Sequence, residues 1–315
     1  MTSDEDDFQS MTLSEHLDEL RARLWKSVLA IVVGMIVSFF YWKELMAFVT
    51  APYKEAAALV GADTSKIIVT DPAEGFLQLL KLCFITGFVF VAPIVLWQLW
   101  GFIAAGLYDR EKRYVRLFFP VSLGLAALGL ITAYVLLLPF GLRFLIGWNE
   151  AMEVETLPSL KSYLSMCLTV LFGMGLVFQL PLVMLFLQAV DIVQRQTFLK
   201  HWRAAVVFSF VLGMLLTDPS PVTQIAMAIP VVGLYFLGIW GGQFVGENAV
   251  AFRWYKAWPI LISIALFAAM LYYADELNDW AAKIFGATSE EAPAEPGENA
   301  PGDDTPGDDD PKDGK

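Results

Sequence analysis

Charged residues, cysteines and histidines are scarce in this 315-residue chain. Only 17% of the residues are charged and 57% are hydrophobic, with two cysteines and two histidines. Soluble chains are about a quarter charged, so the composition excludes an ordinary cytosolic enzyme, a disordered protein and a nucleic-acid binder as first interpretations. Two cysteines and two histidines do not make a metal cluster. Cys83 and Cys167 lie inside apolar runs, and we expect both to be buried free thiols.

Catalytic motifs are also missing. The sequence has no phosphate-binding Walker loop, no dinucleotide fingerprint and no serine nucleophile elbow. An intramembrane protease would need a histidine or paired acids within a span, whereas His16 and His201 lie outside the uncharged runs. We therefore predict a protein that is not an enzyme and that holds no cofactor and no metal.

Long uncharged runs are what the sequence has instead. A helix needs about 20 apolar residues to cross the hydrocarbon core of a bilayer. Seven runs are candidates, at residues 27–42, 82–108, 117–142, 162–190, 204–217, 219–246 and 257–274. Pro219 and Pro221 separate the fifth run from the sixth, so we predict a hairpin of two short helices there.

Lysine and arginine are unequally divided between the two sets of loops. The set that includes the N-terminal flank carries twelve, and the opposite set carries five. The positive-inside rule therefore predicts a cytoplasmic N-terminus, with outer loops at about 43–76 and 143–161. The seventh run is preceded by Arg253 and Lys256 and followed by acids, which favours an outward crossing. A helix lying on the cytoplasmic surface is the alternative for this run.

The net charge of −12 comes from the two ends of the chain. The first ten residues hold four acids, and residues 275–315 hold thirteen acids and three lysines. Such a tail of Pro, Gly, Asp and Glu should be disordered. The predicted organisation is a disordered acidic N-terminus at 1–11, an amphipathic cytoplasmic helix at 12–24, an all-α six-span core at 25–246, an extra segment with a seventh span at 247–274, and an acidic, largely disordered tail at 275–315.

The segment before the first run predicts an amphipathic helix at the membrane interface. Thr12 and Glu15 have the spacing of a capping box, and leucines recur every three or four residues within 13–24. Glu15 and Glu19 lie on its polar side, where they would form an acidic patch for a basic ligand. The alternative for Glu19 is a local ion pair with Arg23 at i+4.

Two other polar residues are candidates. Glu111 lies among four basic residues after the second run, where local charge balance is the alternative. Gln179 lies near the middle of the fourth run, where an amide marks either a functional site or an interhelical hydrogen bond. No run contains a carboxylate, which weakens the alternative function of a small-solute secondary transporter.

Seven motifs, in register with six spans, resemble the TatC family, the multispanning subunit of the twin-arginine protein translocase. The resemblance covers about residues 12–246. The motifs are Glu-His-Leu-x-Glu-Leu-Arg-x-Arg (15–23), Thr-x-Pro-x-Glu-x-Phe (70–76), Ala-Pro-x-x-x-x-Gln-x-Trp-x-Phe-Ile-Ala (92–104), Leu-Tyr-x-x-Glu-x-Arg (107–113), Tyr-Leu-Ser (163–165), Phe-Gln-x-Pro (178–181) and Gly-Met-Leu-Leu-Thr-x-Pro-x-Pro-x-x-Gln (213–224).

The resemblance implies a receptor in the inner membrane of a bacterium. Such a receptor binds the paired arginines of a folded cargo's signal peptide on the cytoplasmic face. It assembles with TatA/TatB-type single-span subunits, other TatC copies and membrane lipid, without nucleic acid, and the proton-motive force drives export. If span seven crosses, the C-terminal tail lies on the periplasmic side.

The resemblance also implies roles for particular residues. Glu19 and Glu111 match the two carboxylates that bind the arginines, and Arg21 supports that site beside Glu15. Gln179 matches a position that faces the interior, and Asp218 and Ser220 lie in the outer hairpin turn. The sequence departs from the family pattern at three positions, where the family usually has proline (Ala105), often has glutamate (Gln179) and often has aspartate (Ser220).

Overall fold

The structure, a computed structural model, describes residues 13–60, 67–107, 112–152, 158–217 and 220–242. Within these ranges the chain is helical, and the only β-pairing is an isolated parallel bridge between Ile68 and Ser159. The helices are α1 (Leu13–Phe40), α2 (Trp42–Val60), α3 (Glu74–Ala105), α4 (Lys112–Ile131), α5 (Leu138–Ala151), α6 (Leu160–Val177), α7 (Leu180–Ala189), α8 (Arg195–Lys200), α9 (Trp202–Leu216) and α10 (Pro221–Gly241), with a π-helical segment (Thr132–Leu137) between α4 and α5. The predictions for residues 1–11, for the seventh run and for the acidic tail fall outside the described residues.

Five helical segments of the described chain are long and apolar enough to cross a membrane. They are Ser14–Phe40, Glu74–Ala105, Val115–Asn149, Leu160–Ala189 and Thr223–Gly241. The remaining apolar helix, α9, has 15 residues, so it is about 22 Å long against a hydrocarbon core of about 30 Å. The predicted all-α membrane core is therefore confirmed, and of the two helices predicted to be short, five and six, the fifth (α9) is short.

The hairpin predicted between the fifth and sixth spans is present. α9 ends at Leu216 and α10 begins at Pro221, a residue suited to the first helical position because its missing N–H has no partner there anyway. Ser220 caps α10, because its Oγ accepts a hydrogen bond from the Thr223 amide at 3.3 Å. α10 has 21 residues, so the length deficit of the hairpin lies in α9.

The N-terminal amphipathic segment is not a separate interfacial helix, which corrects the expectation for residues 12–24. Residues 13–40 form one uninterrupted helix, so the segment continues the axis of the first span. The chain has no proline in this stretch and its first glycine is Gly34, so nothing in the sequence breaks the backbone at the expected boundary.

α1 and α3 pack antiparallel, with their backbones in contact at two glycines. A Cβ added to Gly34 would lie 2.5 Å from the carbonyl oxygen of Gly87, and a Cβ on Gly87 would lie 2.5 Å from the Met35 amide nitrogen. Near the start of α1, the His16 ring stacks on Phe102 with centroids 4.5 Å apart. One end of the bundle therefore holds the beginning of α1, the end of α3 and the beginning of α4. We name it the groove end, because a groove opens between these three helices.

Two predicted spans contain local breaks. Span three passes through the π-helical segment between α4 and α5. Span four ends one helix at Val177 and begins another at Leu180, because Pro181 has no N–H to donate to the preceding turn. Uncharged runs alone predict neither break, since both segments remain apolar throughout.

The loops opposite the groove end fold into a cap rather than simple connections. α2 packs against α5 and buries Val49 and Tyr53, and the Tyr163 hydroxyl donates a hydrogen bond of 2.6 Å to the Val49 carbonyl. Ile68 and Leu160 hold the two outer loops together, because the Leu160 amide donates to the Ile68 carbonyl at 2.8 Å. This end is named the cap end.

The main apolar core lies between α2, α3, α5, α6 and α10. Its fully buried side chains include Leu82, Leu164, Leu168, Met174, Phe178 and Met227. Cys83 and Cys167 are buried free thiols, as predicted.

Candidate functional site

A groove of about 470 Å³ opens at the groove end between α1, α3 and α4. It is lined by Glu19, Arg23, Trp97, Trp100, Gly101, Ala104, Ala105, Lys112, Val115, Arg116 and Phe119. We call it the α1–α3–α4 groove. One carboxylate and three cations stand beside aromatic walls, so the groove suits a ligand with both a charged part and an apolar part.

Glu19 is held in this groove by Arg23, one helical turn later on α1. Arg23 donates to Oε1 of Glu19 twice, from Nε at 3.0 Å and from Nη2 at 2.6 Å. The local ion pair expected as the alternative is therefore present. The side chains are 26% (Arg23) and 22% (Glu19) exposed. Exposed pairs of this i,i+4 kind contribute about 0.3–0.5 kcal/mol, so the pair is weak.

The second carboxylate oxygen of Glu19 differs from the first in its hydrogen bonding. Oε2 is buried and accepts no hydrogen bond from any described residue. Buried carboxylate oxygens are usually satisfied, so this unused acceptor distinguishes Glu19 from a carboxylate that several donors hold in place.

Gly101 gives Arg23 its position. A Cβ on residue 101 would overlap Nη1 of Arg23, so the guanidinium rests directly on the α3 backbone. Only glycine leaves that space, and the 92–104 motif leaves position 101 unspecified. Arg23 ends the 15–23 motif and was predicted as a partner of Glu19, whereas Gly101 was not a predicted site residue.

A buried polar network joins the groove wall to the break in span four. Trp100 donates from Nε1 to Ser122 Oγ at 3.1 Å, and Gln179 donates from Nε2 to the Ser122 carbonyl at 2.9 Å. Gln179 thus forms an interhelical hydrogen bond, one of the two roles left open for it. Ser122 is fully buried, so this network is part of the bundle interior.

The other predicted residues of the N-terminal motif do not line the groove. Glu15 and Arg21 are exposed on α1, and Arg21 forms no ion pair with a described residue. Glu111 falls outside the described residues, although Lys112, the next residue in the chain, lines the groove. Ala105 ends α3 at the groove wall.

Of the two residues predicted in the outer hairpin turn, the structure describes Ser220. Ser220 is the N-cap of α10, and its Oγ lies 2.5 Å from the Thr223 hydroxyl oxygen, so it does not line the groove. Asp218 falls outside the described residues.

Glu74 is a carboxylate at the cap end that was not predicted as a site residue. It is 3% exposed and accepts hydrogen bonds from the Thr70 amide (2.9 Å), the Thr70 hydroxyl (2.6 Å), the Asp71 amide (3.3 Å) and the Lys161 amide (2.5 Å). The Lys161 amide belongs to the first turn of α6, where a carboxylate is favoured by the helix dipole. Glu74 therefore joins the starts of α3 and α6. The signal for it was the Thr-x-Pro-x-Glu spacing.

Comparison with known proteins places this arrangement in a family. The family model described as "Sec-independent protein translocase protein (TatC)" matches residues 15–230. The chain is 33% identical over 235 residues to the protein of that name from Desulforapulum autotrophicum, covering 75% of this chain and 85% of the relative. It is 34% identical over 227 residues to the Helicobacter pylori protein of the same name, covering 72% and 87%.

A solved structure has the same fold. The crystal structure described as twin arginine translocase receptor TatC aligns with a TM-score of 0.65 and 30% identity, covering 73% of this chain and 99% of that one. The relatives are protein translocase components, and a small-solute transporter is not favoured. With five long apolar helices in its described part, the protein is a multi-pass membrane protein. The chain belongs to the TatC family of Sec-independent protein translocase proteins.

Proposed function

We propose that this chain is the receptor for twin-arginine signal peptides and the core scaffold of a Tat translocase in a bacterial inner membrane. It exports folded proteins independently of the Sec pathway, driven by the proton-motive force. The observation that carries the proposal is the Glu19 carboxylate, set in the α1–α3–α4 groove beside the aromatic side chains that line it. Arginine fits such a site, because its planar fork of N–H donors matches a carboxylate.

The groove end faces the cytoplasm in this proposal. The excess of lysine and arginine in the loops on that side supports this orientation, since Arg116 and Lys112 lie at the groove. A signal peptide would then reach Glu19 without crossing the membrane. An outward seventh span would leave the acidic tail on the periplasmic side.

Glu111 supplies the second carboxylate for the arginine pair. The support for this role is its sequence neighbour Lys112, which lines the groove at the start of α4. Arg21 and Glu15 support the site from the exposed face of α1. The aromatic walls at Trp97 and Phe119 suit the apolar residues that follow the arginines.

The partners of the scaffold are single-span TatA/TatB-type subunits, other copies of this chain and lipid. The short α9 supports this role, because a helix shorter than the hydrocarbon core thins the bilayer beside it. Gln179 is an intramembrane polar contact that holds span four to α4 through Ser122. Asp218 and Ser220 form the turn on the outer side.

The test uses full-length protein in lipid nanodiscs and a labelled peptide with an Arg-Arg pair followed by an apolar segment. Glu19→Gln and Glu111→Gln should each weaken binding at least tenfold, because a neutral amide loses the charge that pairs with guanidinium. A photocrosslinker at position 19 should label the same peptide. Binding is measured by fluorescence anisotropy.

Asp18→Asn is the matched control, because Asp18 is an exposed acid next to Glu19 on α1. It should bind the peptide like the parent protein, and a Lys-Lys peptide should bind the parent more weakly than the Arg-Arg peptide. Unchanged binding in Glu19→Gln, with the variant inserted and folded, would contradict the site.

A further inference from the structure

We propose that Arg23 is a resident competitor for the arginines of the signal peptide: it occupies Glu19 in the empty receptor and must leave before the peptide can pair with that carboxylate. The inference rests on the proposed binding role of Glu19. It concerns the affinity of the groove for the signal peptide, which depends on more than the presence of the Glu19 carboxylate.

The geometry of the pair carries the first step. Arg23 directs both of its N–H donors to the same oxygen, Oε1, while Oε2 is buried. A guanidinium that arrives from the groove needs accessible carboxylate oxygens to pair in its two-pronged geometry. Because Arg23 occupies Oε1 and Oε2 is buried, a second arginine pairs fully with Glu19 only when Arg23 moves aside.

Arg23 is held weakly enough to be displaced. Glu19 is its ion-pair partner in the described part of the chain, and both side chains are about a quarter exposed, so water screens the pair. Arg23 itself lines a groove with room for a rotated side chain. The exchange replaces one guanidinium on Glu19 by another, so Glu19 keeps a cationic partner.

The consequence is a population effect on affinity. A ligand that binds only the fraction of receptors with Glu19 unoccupied has its apparent Kd raised by the inverse of that fraction. Arg23 thus keeps the receptor from holding peptides too tightly, and it affects all ligands of Glu19 in the same direction.

Two substitutions act on the competitor by different routes. Arg23→Gln removes the guanidinium, whereas Gly101→Ala keeps every charge and places a Cβ where Nη1 of Arg23 rests. The clash involves the end of a flexible side chain, which can swing away, so the helix itself is spared. Each variant should lower the Kd for the Arg-Arg peptide about twofold to fivefold, the range expected from losing one weak ion pair.

The controls separate this effect from a change of net charge or of helix composition. Lys26→Gln removes one exposed positive charge from α1, and Gly124→Ala adds a methyl group to α4 where no atom lies within 4 Å. Neither should tighten binding as much as its counterpart. Thermal unfolding of each variant in nanodiscs confirms that the proteins compared are folded.

Weaker or unchanged peptide binding in folded Arg23→Gln and Gly101→Ala would overturn the inference and make Arg23 a residue that positions Glu19. If Arg23→Gln does not fold, the peptide Kd of Gly101→Ala alone tests the inference. Glu19→Gln in the same assay separates the two proposals. Loss of binding in Glu19→Gln without tightening in the other variants refutes only the competitor, whereas normal binding in Glu19→Gln refutes the site itself.

Discussion

Glu74 and Glu19 are carboxylates at opposite ends of one helical bundle, and the bundle surrounds them differently. Glu74 is almost fully buried and accepts four hydrogen bonds, three of them from backbone amides. Glu19 is partly exposed, receives both of its bonds from a single flexible side chain on one oxygen, and keeps the other oxygen unused by the described residues.

The difference separates a structural acid from the acid proposed to bind the signal peptide. Backbone donors at fixed positions satisfy Glu74 and tie the starts of α3 and α6 together, so no acceptor remains for a ligand. Glu19 contributes little to the bundle and keeps the capacity to exchange partners. Both residues are acids near the start of a helix. They differ in the number and kind of the hydrogen-bond donors that each one receives.

The largest effect should follow from breaking the cap end. Glu74→Ala removes the acceptor of three amides and one hydroxyl, and unpaired buried donors are costly. We expect the apparent Tm to fall by about 5–10 °C. Binding of the Arg-Arg peptide per folded molecule should not change. Glu44→Ala, at an exposed acid of α2, is the control, and an equal Tm for both variants would refute the structural role.

The crossing of α1 and α3 should show the next largest effect, because it joins the two ends. Gly87→Leu forces a side chain into the α1 backbone, and overpacking of this kind costs about 1–3 kcal/mol or more. Stability and peptide binding should both decline, unlike in the Glu74 variant. The measurements are unfolding in mixed detergent micelles and fluorescence anisotropy. Gly124→Leu, at an open helical position, should leave both intact, and losses as large there would show that bulk alone is responsible.

A smaller effect is expected at the polar network between the groove wall and span four. Gln179→Leu removes one interhelical hydrogen bond, and such bonds contribute about 0.6 kcal/mol on average in membrane proteins. Unfolding in mixed micelles measures the change. Ser122→Ala keeps the carbonyl that Gln179 uses and removes the acceptor of Trp100, and because both bonds meet at residue 122 the double variant measures their coupling. A stability gain in Gln179→Leu would contradict the assignment.

The smallest stability effect should come from Glu19 itself. Glu19→Gln keeps an oxygen acceptor for Arg23 and should change the free energy of unfolding by less than about 0.5 kcal/mol. The same variant should lose peptide binding, which is the reverse of the result for Glu74→Ala. A marked loss of stability in Glu19→Gln would make the two carboxylates alike and remove the contrast between the two ends.

Composition and periodicity predicted the spans, the hairpin break and the buried thiols, because these depend on local chemistry such as uncharged length and proline. The break at Gln179 and the continuity of α1 were not predicted, although Pro181 and the lack of proline or glycine between residues 13 and 33 are local signals for them. The motifs located Glu19, and its alternative partner Arg23 was predicted from i+4 spacing.

The remaining features of the groove depend on contacts between distant segments. Gly101 lies 78 residues after Arg23 in the chain, and no local pattern joins the two. The same holds for Glu74, whose partner at Lys161 belongs to another helix. Contacts between residues of one helix can be predicted from their spacing in the sequence. Contacts between two helix backbones depend on how the whole bundle packs.

The unbroken α1 has a mechanical consequence. Glu19 lies 15 residues before Gly34, where the α1 backbone touches that of α3, and this stretch of helix is about 22 Å long. A tilt of about 5° around that contact would move Glu19 and Arg23 together by about 2 Å relative to α3. The position of the Arg23 guanidinium on Gly101 therefore depends on the angle between α1 and α3 as well as on local contacts.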